Sequence, residues 1–384
     1  MLLLLLAACD TTPEPVETEV EGCVPFESAY TANAAPIIES KCGSCHGSTP
    51  EFGAPYSLVE GYADLLSGEI GERKVDALLA SLLDGSMPQG DADPLSHNEL
   101  DTLVGWASCG LEHPPEDDEL FANRDIWEAP DSPPEGSVAV DLIAVDEPVG
   151  LDAIDDYRTF RFNSVVEESG YIHRIEPVID ESRVLHHITL TKRGGFPYLY
   201  AWAPGTGAIQ FPDGGMAIEP GDAFEVEIHY NNGAGIPDAV DSSGVRMWVG
   251  QSAEIVYGMA SPNLWNMVIP AGEGKAFSTT CTATQDFEIL AGMPHMHEIG
   301  STFKHDLIRG DGSVENLIEL SGWSFESQYF YEMPVQVQAG DKLEMTCGYF
   351  NDTEETVTAG LATGDEMCFD FLVVTPASAE SQCQ

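Results

Sequence analysis

The sequence predicts a multidomain chain, with a small all-α unit at the amino end and all-β sandwich architecture after it. Three observations carry this. A helical, well-capped pattern closes the first hundred or so residues. A stretch rich in Pro, Glu and Asp, without helical period, runs from Leu111 to Ser137. Beyond it come short alternating runs separated by Gly and Pro. A length of 384 residues accommodates two or three domains, and 43% hydrophobic residues suffice for sizeable cores.

Sixty-five acidic residues against 15 basic ones give a net charge of −50. Phosphate backbones need Lys and Arg, so nucleic acid is excluded as a partner. The balance fits a solvated acidic surface, or a cationic partner such as a basic redox protein. The opening run MLLLLLAACD is too short to span a bilayer as a helix. It resembles the end of a bacterial lipoprotein signal, Leu6-Ala7-Ala8-Cys9 matching the lipobox. Cys9 is then the lipidated residue, the chain is exported to the bacterial cell envelope, and the true start lies upstream of Met1. Residues 1–22 are read as signal remnant and tether, the acidic, proline-bearing part from Asp10 to Gly22 suiting a tether. Nine cysteines also fit an exported, disulfide-forming protein.

Cys42-Gly43-Ser44-Cys45-His46 is a CxxCH run, which in an exported protein reads as covalent haem c attachment. Two thiols at this spacing reach the two vinyl groups on one porphyrin edge, and His46 reaches the iron. A zinc half-site is the competing reading, but no second CxxC or His pair lies nearby to complete it. Met87, in Gly85-Ser86-Met87-Pro88, is placed to be the second axial ligand, a thioether that raises the haem potential. Ser96 and Glu99 form a capping box, and Leu100, Leu103, Val104 and Ala107 share one face of the helix that follows. The order of CxxCH, helices, Met-Pro loop and terminal helix with Trp106 resembles a class I cytochrome c domain, assigned to residues 23–112. Cys23 and Cys109 flank it and are expected to pair.

After a linker at 113–136, the run Phe224 to Tyr230 alternates, with Phe224, Val226 and Ile228 on one face and His229 on the polar one. His295 and His297, at i and i+2, share one face of a strand, which suits chelation of one metal. His186 and His187 are adjacent, and on a regular strand they point apart. If both bind one metal, the strand must bulge or twist there. On spacing alone, metal ligands and ordinary surface histidines remain equally open.

Five segments occur in one order: His186-His187, Trp202-Ala203-Pro204-Gly205, Ile228-His229-Tyr230-Asn231, His295-Met296-His297 and Asp365-Glu366-Met367-Cys368. Residues 136 to 384 thereby resemble the copper type II, ascorbate-dependent monooxygenases. The resemblance implies two jelly-roll-like β-sandwich domains, 137–272 and 273–384, each carrying one of two copper ions and facing a solvent-filled cleft. It implies His186, His187 and His229 as ligands of an electron-transferring copper. His295, His297 and Met367 would hold an oxygen-activating copper, the soft thioether favouring Cu(I). It also implies the disulfides Cys347–Cys368 and Cys281–Cys383. Where the peptide-amidating members carry a carboxylate-binding arginine, this chain has Met293, and Phe369 and Phe371 replace their Asn and Tyr. Such a pocket favours a small apolar or aromatic substrate over a peptide.

The expected activity is hydroxylation of a C–H bond with O₂, electrons arriving from ascorbate or a redox protein and passing through the fused haem. Two other classes compete: a non-catalytic haem and copper electron-transfer or copper-binding lipoprotein, and a haem peroxidase using His46 alone. Ligation by Met87 would block the second. His97, His113, His173 and His305 have no motif around them and read as surface or structural residues.

Overall fold

The computed structural model describes residues 24–382 apart from 26, 51–53, 84–86, 88–94, 96, 110–121, 155, 195–197, 204–205, 324, 326–327, 352, 354 and 361–363. Cys9, Cys23, Cys383, Ser96 and His113 therefore lie outside the described residues.

At the amino end a continuous helical run from Glu27 to His46 alternates α turns with wider π turns. Helices Tyr62–Leu65, Lys74–Leu83 and His97–Ala107 follow. They enclose an apolar cluster of their own, in which Ile38, Leu65, Val75, Leu103 and Trp106 are fully buried. The expected face of the last helix is the one that packs: Leu103 and Ala107 are buried, Leu100 and Val104 half-buried. This unit rests on the loop after strand Ala223–Tyr230. A Cβ on Gly235, whose φ is +68°, would lie 2.1 Å from the Cβ of Ala29, and one on Gly233 would lie 3.1 Å from the Cα of Thr102. Glycine is what lets the two backbones approach.

The rest is β-structure, as the alternating runs predict. One nine-stranded sheet runs the length of the molecule in the order Val138–Ile143, Gly244–Gly250, Gly170–Val178, Gly214–Ile218, Ile255–Ala260, Phe369–Thr375, Phe287–His295, Tyr331–Val337, with Ile209–Gln210 added beside Gly170–Val178. Two four-stranded sheets cover its two halves. Over the first half lie Asp156–Asn163, Ala223–Tyr230, Leu185–Lys192 and Tyr198–Trp202. Over the second lie Gly274–Thr282, Lys342–Phe350, Gly300–Ile308 and Val314–Leu320. Each half thus encloses a sandwich core built from the inward residues of two sheets. The first core buries Ile172, Ile188, Phe224, Val226, Ile228 and Val245, the second Ile289, Phe303, Leu317, Met345 and Val374. Ala260, Met267 and Ile269, on the amino side of the residue-273 boundary, pack in the second core.

Part of the stretch read as a linker is built into the fold. Ala122 bridges to Leu320 and Ile126 to Tyr331, and the Trp127 N–H donates to the Phe330 carbonyl at 2.7 Å. Two isolated bridges, too short for any period, hold it against the second sandwich, which is why its sequence reads as irregular. Cys347, on strand Lys342–Phe350, is bonded to Cys368, which precedes Phe369–Thr375, so this disulfide staples the two sheets of the second sandwich. Cys109 and Cys281 are also disulfide-bonded, while the partners expected for them, Cys23 and Cys383, fall outside the described residues. Replacing Cys347 and Cys368 together by Ala opens a crosslink across 21 residues. Denaturant titration is expected to show a loss of about 3 kcal/mol.

Candidate metal centres

The first histidine cluster depends on an irregularity. Strand Leu185–Lys192 pairs with Ala223–Tyr230 as Leu185 opposite Tyr230, then His187 opposite His229, so His186 is the extra residue of a β-bulge. The bulge removes the conflict between adjacent residues and opposite faces. The His186 ring lies 4.2 Å from His187 and 4.7 Å from His229, and His187 lies 6.0 Å from His229. One ring nitrogen from each of the three falls within 4.8 Å of the others. Nδ1 of His186 and Nδ1 of His229 are 3.0 Å apart, so the two rings turn these nitrogens toward one another. Nε2 of His187 is buried with no hydrogen-bond partner. Burial, then the neighbouring imidazoles, hold His187 well below the usual histidine range, so it is neutral and able to ligate. His229 does face away from Phe224, Val226 and Ile228, as alternation requires. That face is not solvent, however: His229 is 2% exposed, and Tyr157 stacks on it at 4.1 Å with the rings 6° from parallel.

The chain beyond His229 is locked by buried polar groups. Tyr230 donates its hydroxyl to fully buried Asp241 at 2.9 Å, and Asn232 binds the carbonyls of Gly150 and Ile236 and the N–H of Ile236.

The second cluster spans the carboxyl sandwich. His295 ends strand Phe287–His295 and pairs with Phe369. His297, two residues on, therefore comes level with Met367, two residues before Phe369. The His295 and His297 rings are 5.2 Å apart and nearly perpendicular. Nδ1 of His297 donates to the Asp365 carbonyl at 3.0 Å, and Nδ1 of His295 to Oε1 of Gln328 at 2.7 Å. Both bonds fix the tautomer that leaves Nε2 with its lone pair, the arrangement that orients metal-binding imidazoles. Burial pushes His295 down to about 3, with the His297 ring adding to the effect. Met367 is 5% exposed, and its carbonyl accepts from the Tyr349 hydroxyl at 2.7 Å.

Glu366 ties this cluster together. Fully buried, it accepts the N–H of His297 (2.9 Å) and of Met367 (3.2 Å) on one oxygen and that of Ile299 (2.8 Å) on the other. Burial pushes its carboxyl up to about 8 although the three amide donors favour the charged form.

Met293, Phe369 and Phe371, the expected pocket residues, are brought together: Met293 lies opposite Phe371 on the next strand, and the two phenyl rings are 5.7 Å apart. Phe371 is 5.6 Å from His295 and 4.8 Å from Tyr198, while Phe369 meets Trp265 at 5.2 Å. All three are buried, and they form an aromatic wall beside His295 whose outer member, Trp265, is 40% exposed.

In the helical unit Cys42 and Cys45 carry free thiols and are half-buried, and His46 is 7% exposed. Nδ1 of His46 faces the Tyr56 carbonyl at 2.9 Å and donates to it, which leaves the lone pair on Nε2. Met87 is half-buried, its N–H bonded to the Ser81 carbonyl at 3.2 Å.

Sequence reasoning missed Tyr157, Phe325, Gln328 and the role of Glu366. Only Glu366 carried a signal, its place inside the Asp365 to Cys368 segment. Of the two readings given to His305, surface or structural, the second holds: it is fully buried and bonded to buried Asp370 at 2.7 Å.

Residues 253–384 match the family model described as the copper type II ascorbate-dependent monooxygenase, C-terminal domain. Putative DBH-like monooxygenase protein 2 of Homo sapiens is 25% identical over 271 residues, covering 59% of this chain and 54% of that one. Dopamine beta-hydroxylase of Canis lupus familiaris is 29% identical over 247 residues, covering 59% and 38%. Tyramine beta-hydroxylase of Caenorhabditis briggsae is 28% identical over 208 residues, covering 48% and 35%. The chain spans about half the length, or less, of the curated relatives it matches. These likenesses support the copper type II ascorbate-dependent monooxygenase family, and copper as its metal.

Glu366→Gln puts an amide N–H₂ against a backbone N–H donor, and is expected to cost about 2 kcal/mol. In the metal-free chain the Glu366 carboxyl holds its proton to about pH 8, against 4.5 for an ordinary glutamate. Its contribution to stability is complete below about pH 4.5 and is lost as pH rises to about 8. Melting temperatures measured across that range are expected to fall more steeply for the unaltered chain than for Glu366→Gln.

Proposed function

We propose that this chain is a copper-dependent monooxygenase that hydroxylates a C–H bond of a small aromatic substrate with O₂, taking electrons through a c-type haem in its helical unit. The observation that carries the reading is the bulged strand that turns His186 beside His187 and brings its Nδ1 to 3.0 Å from that of His229. Three converging imidazoles whose Nε2 atoms are all buried are costly to assemble unless a cation occupies the centre.

His186, His187 and His229 would hold one copper ion and His295, His297 and Met367 the other. Copper supplies one-electron redox chemistry and, where a thioether favours Cu(I), reactivity toward O₂. The chain's own residues do the rest. Glu366 accepts the backbone N–H groups of His297 and Met367, the Asp365 carbonyl fixes the His297 ring, and Gln328 fixes His295. Phe371 and Phe369, beside His295, exclude water and offer flat apolar faces to a substrate ring. The names of the relatives, dopamine and tyramine hydroxylases, point to aromatic amines. With Met293 buried opposite Phe371, the pocket has no cation there to hold a peptide carboxylate.

Hydroxylation consumes O₂, two electrons and two protons and releases water with the product. A haem delivers one electron at a time, so it must be reduced twice per turnover. Cys42 and Cys45 fit thioether attachment, and the Tyr56 bond leaves Nε2 of His46 for the iron. The packing of Ala29 and Thr102 on Gly235 and Gly233, a few residues past His229, supports electron delivery to the first copper. Ascorbate or a redox protein would reduce the haem. The reading includes export to a bacterial envelope with a lipid anchor at Cys9, on the run Leu6-Ala7-Ala8-Cys9, and the disulfide Cys347–Cys368 suits an oxidising compartment.

Copper analysis is expected to find two ions per chain, and His229→Ala to lose one of them together with substrate-stimulated O₂ uptake. A chain that binds no copper sinks the reading. Haem-loaded protein, reduced without O₂ and then mixed with O₂ and an aromatic amine, is expected to reoxidise on the turnover timescale. Haem that stays reduced removes its role as donor.

A further inference from the structure

The two histidine clusters meet at one ring. Phe325, 6% exposed, has its centroid 4.9 Å from that of His187, 6.2 Å from His186 and 6.0 Å from His297. His187 and His297 are therefore no further apart than those two distances laid end to end. The resemblance to two-copper enzymes implies a solvent-filled cleft here, but the side chain at its centre is a buried phenyl ring.

Phe325 belongs to the connection between strands Val314–Leu320 and Tyr331–Val337 of the second sandwich, and Gln328 holds it in place. Nε2 of Gln328 donates to the Phe325 carbonyl at 2.9 Å, and Oε1 accepts from Nδ1 of His295 at 2.7 Å. The Gln328 carbonyl accepts from Oγ1 of Thr206, in the first sandwich, at 2.8 Å. Gln328 and Thr206 are 8% and 7% exposed, so these bonds are shielded from water and costly to break. One side chain thus grips the spacer ring, a ligand of the second site and, through its own backbone, the opposite sandwich.

We infer that Phe325 is the spacer that sets the distance between the two metal centres, and that Gln328 is the positioning residue coupling this spacer to His295. The inference rests on the two-copper reading above. A packed ring is nearly incompressible, so it keeps the two groups of ligands from closing on one another. A change at His295 is then felt by Phe325 through Gln328.

The test uses the full chain loaded with Cu(II), read by copper count and by electron paramagnetic resonance. All variants are expected to hold two ions. In Phe325→Ala the surroundings partly collapse into the lost volume, and the dipolar broadening between the two ions is expected to rise roughly twofold. Phe325→Trp, which enlarges the spacer, is expected to lower it, and Phe325→Leu gives an intermediate rise should the alanine variant not fold. Gln328→Leu is expected to shift the spectrum of one copper only and to broaden the spread of the spin–spin interaction. Two coppers per chain with an unchanged interaction in both Phe325→Ala and Phe325→Trp overturn the inference. Fewer than two coppers in the unaltered chain overturn the two-copper reading instead, and the inference with it.

Discussion

Strand Ile255–Ala260 pairs parallel with Gly214–Ile218 through Ile255 to Tyr257 and antiparallel with Phe369–Thr375 through Gly258 to Ala260. This central pairing makes one continuous sheet out of what would otherwise be two separate sandwiches, and the functional geometry hangs on it. Phe369–Thr375 begins at the residue that pairs with His295, and the strand is preceded by Met367. The covering sheet of the first half carries His186, His187 and His229. Backbone hydrogen bonds through this one strand tie the two halves together, and the rings of His187 and His297 both pack on Phe325 between them.

Within each half, buried polar groups do the fine positioning. Glu366 spends its two oxygens on three backbone amides around His297 and Met367, and Asp241 anchors Tyr230 next to His229. Such groups add little net stability when satisfied and cost several kcal/mol when one partner is lost. Their presence at the ends of the ligand-bearing strands, rather than mid-strand, is where precision of a few tenths of an ångström is needed and where apolar packing alone cannot give it. Placing them there trades robustness for geometry.

Much of this was legible in the residues. The alternation from Phe224 to Tyr230 placed His229 on the correct face, and the spacing of His295 and His297 put them on one side of a strand. Adjacent His186 and His187 required a bulge, and a bulge is what the register shows. The burial of His229 was not legible, because it comes from Tyr157 and from its histidine neighbours, which are distant in sequence. Nor was the packing of Ala122 and Ile126, where single bridges leave no period to detect. Phe325 and Gln328 sit in an irregular connection whose importance comes wholly from what lies across the gap. The run Cys42 to His46 suggests haem by its spacing alone, and the structure adds only that His46 is buried with Nδ1 bonded to the Tyr56 carbonyl.

The central claim is that this chain holds two chemically different copper sites, one built from imidazoles alone and one that includes the thioether of Met367. X-ray absorption at the copper edge of the fully loaded, reduced protein tests it most directly. The account predicts nitrogen donors at every copper, with a sulfur scatterer equivalent to one ligand shared between two ions, and loss of that sulfur in Met367→Leu. A spectrum with no sulfur contribution, or one unchanged by that substitution, would contradict it.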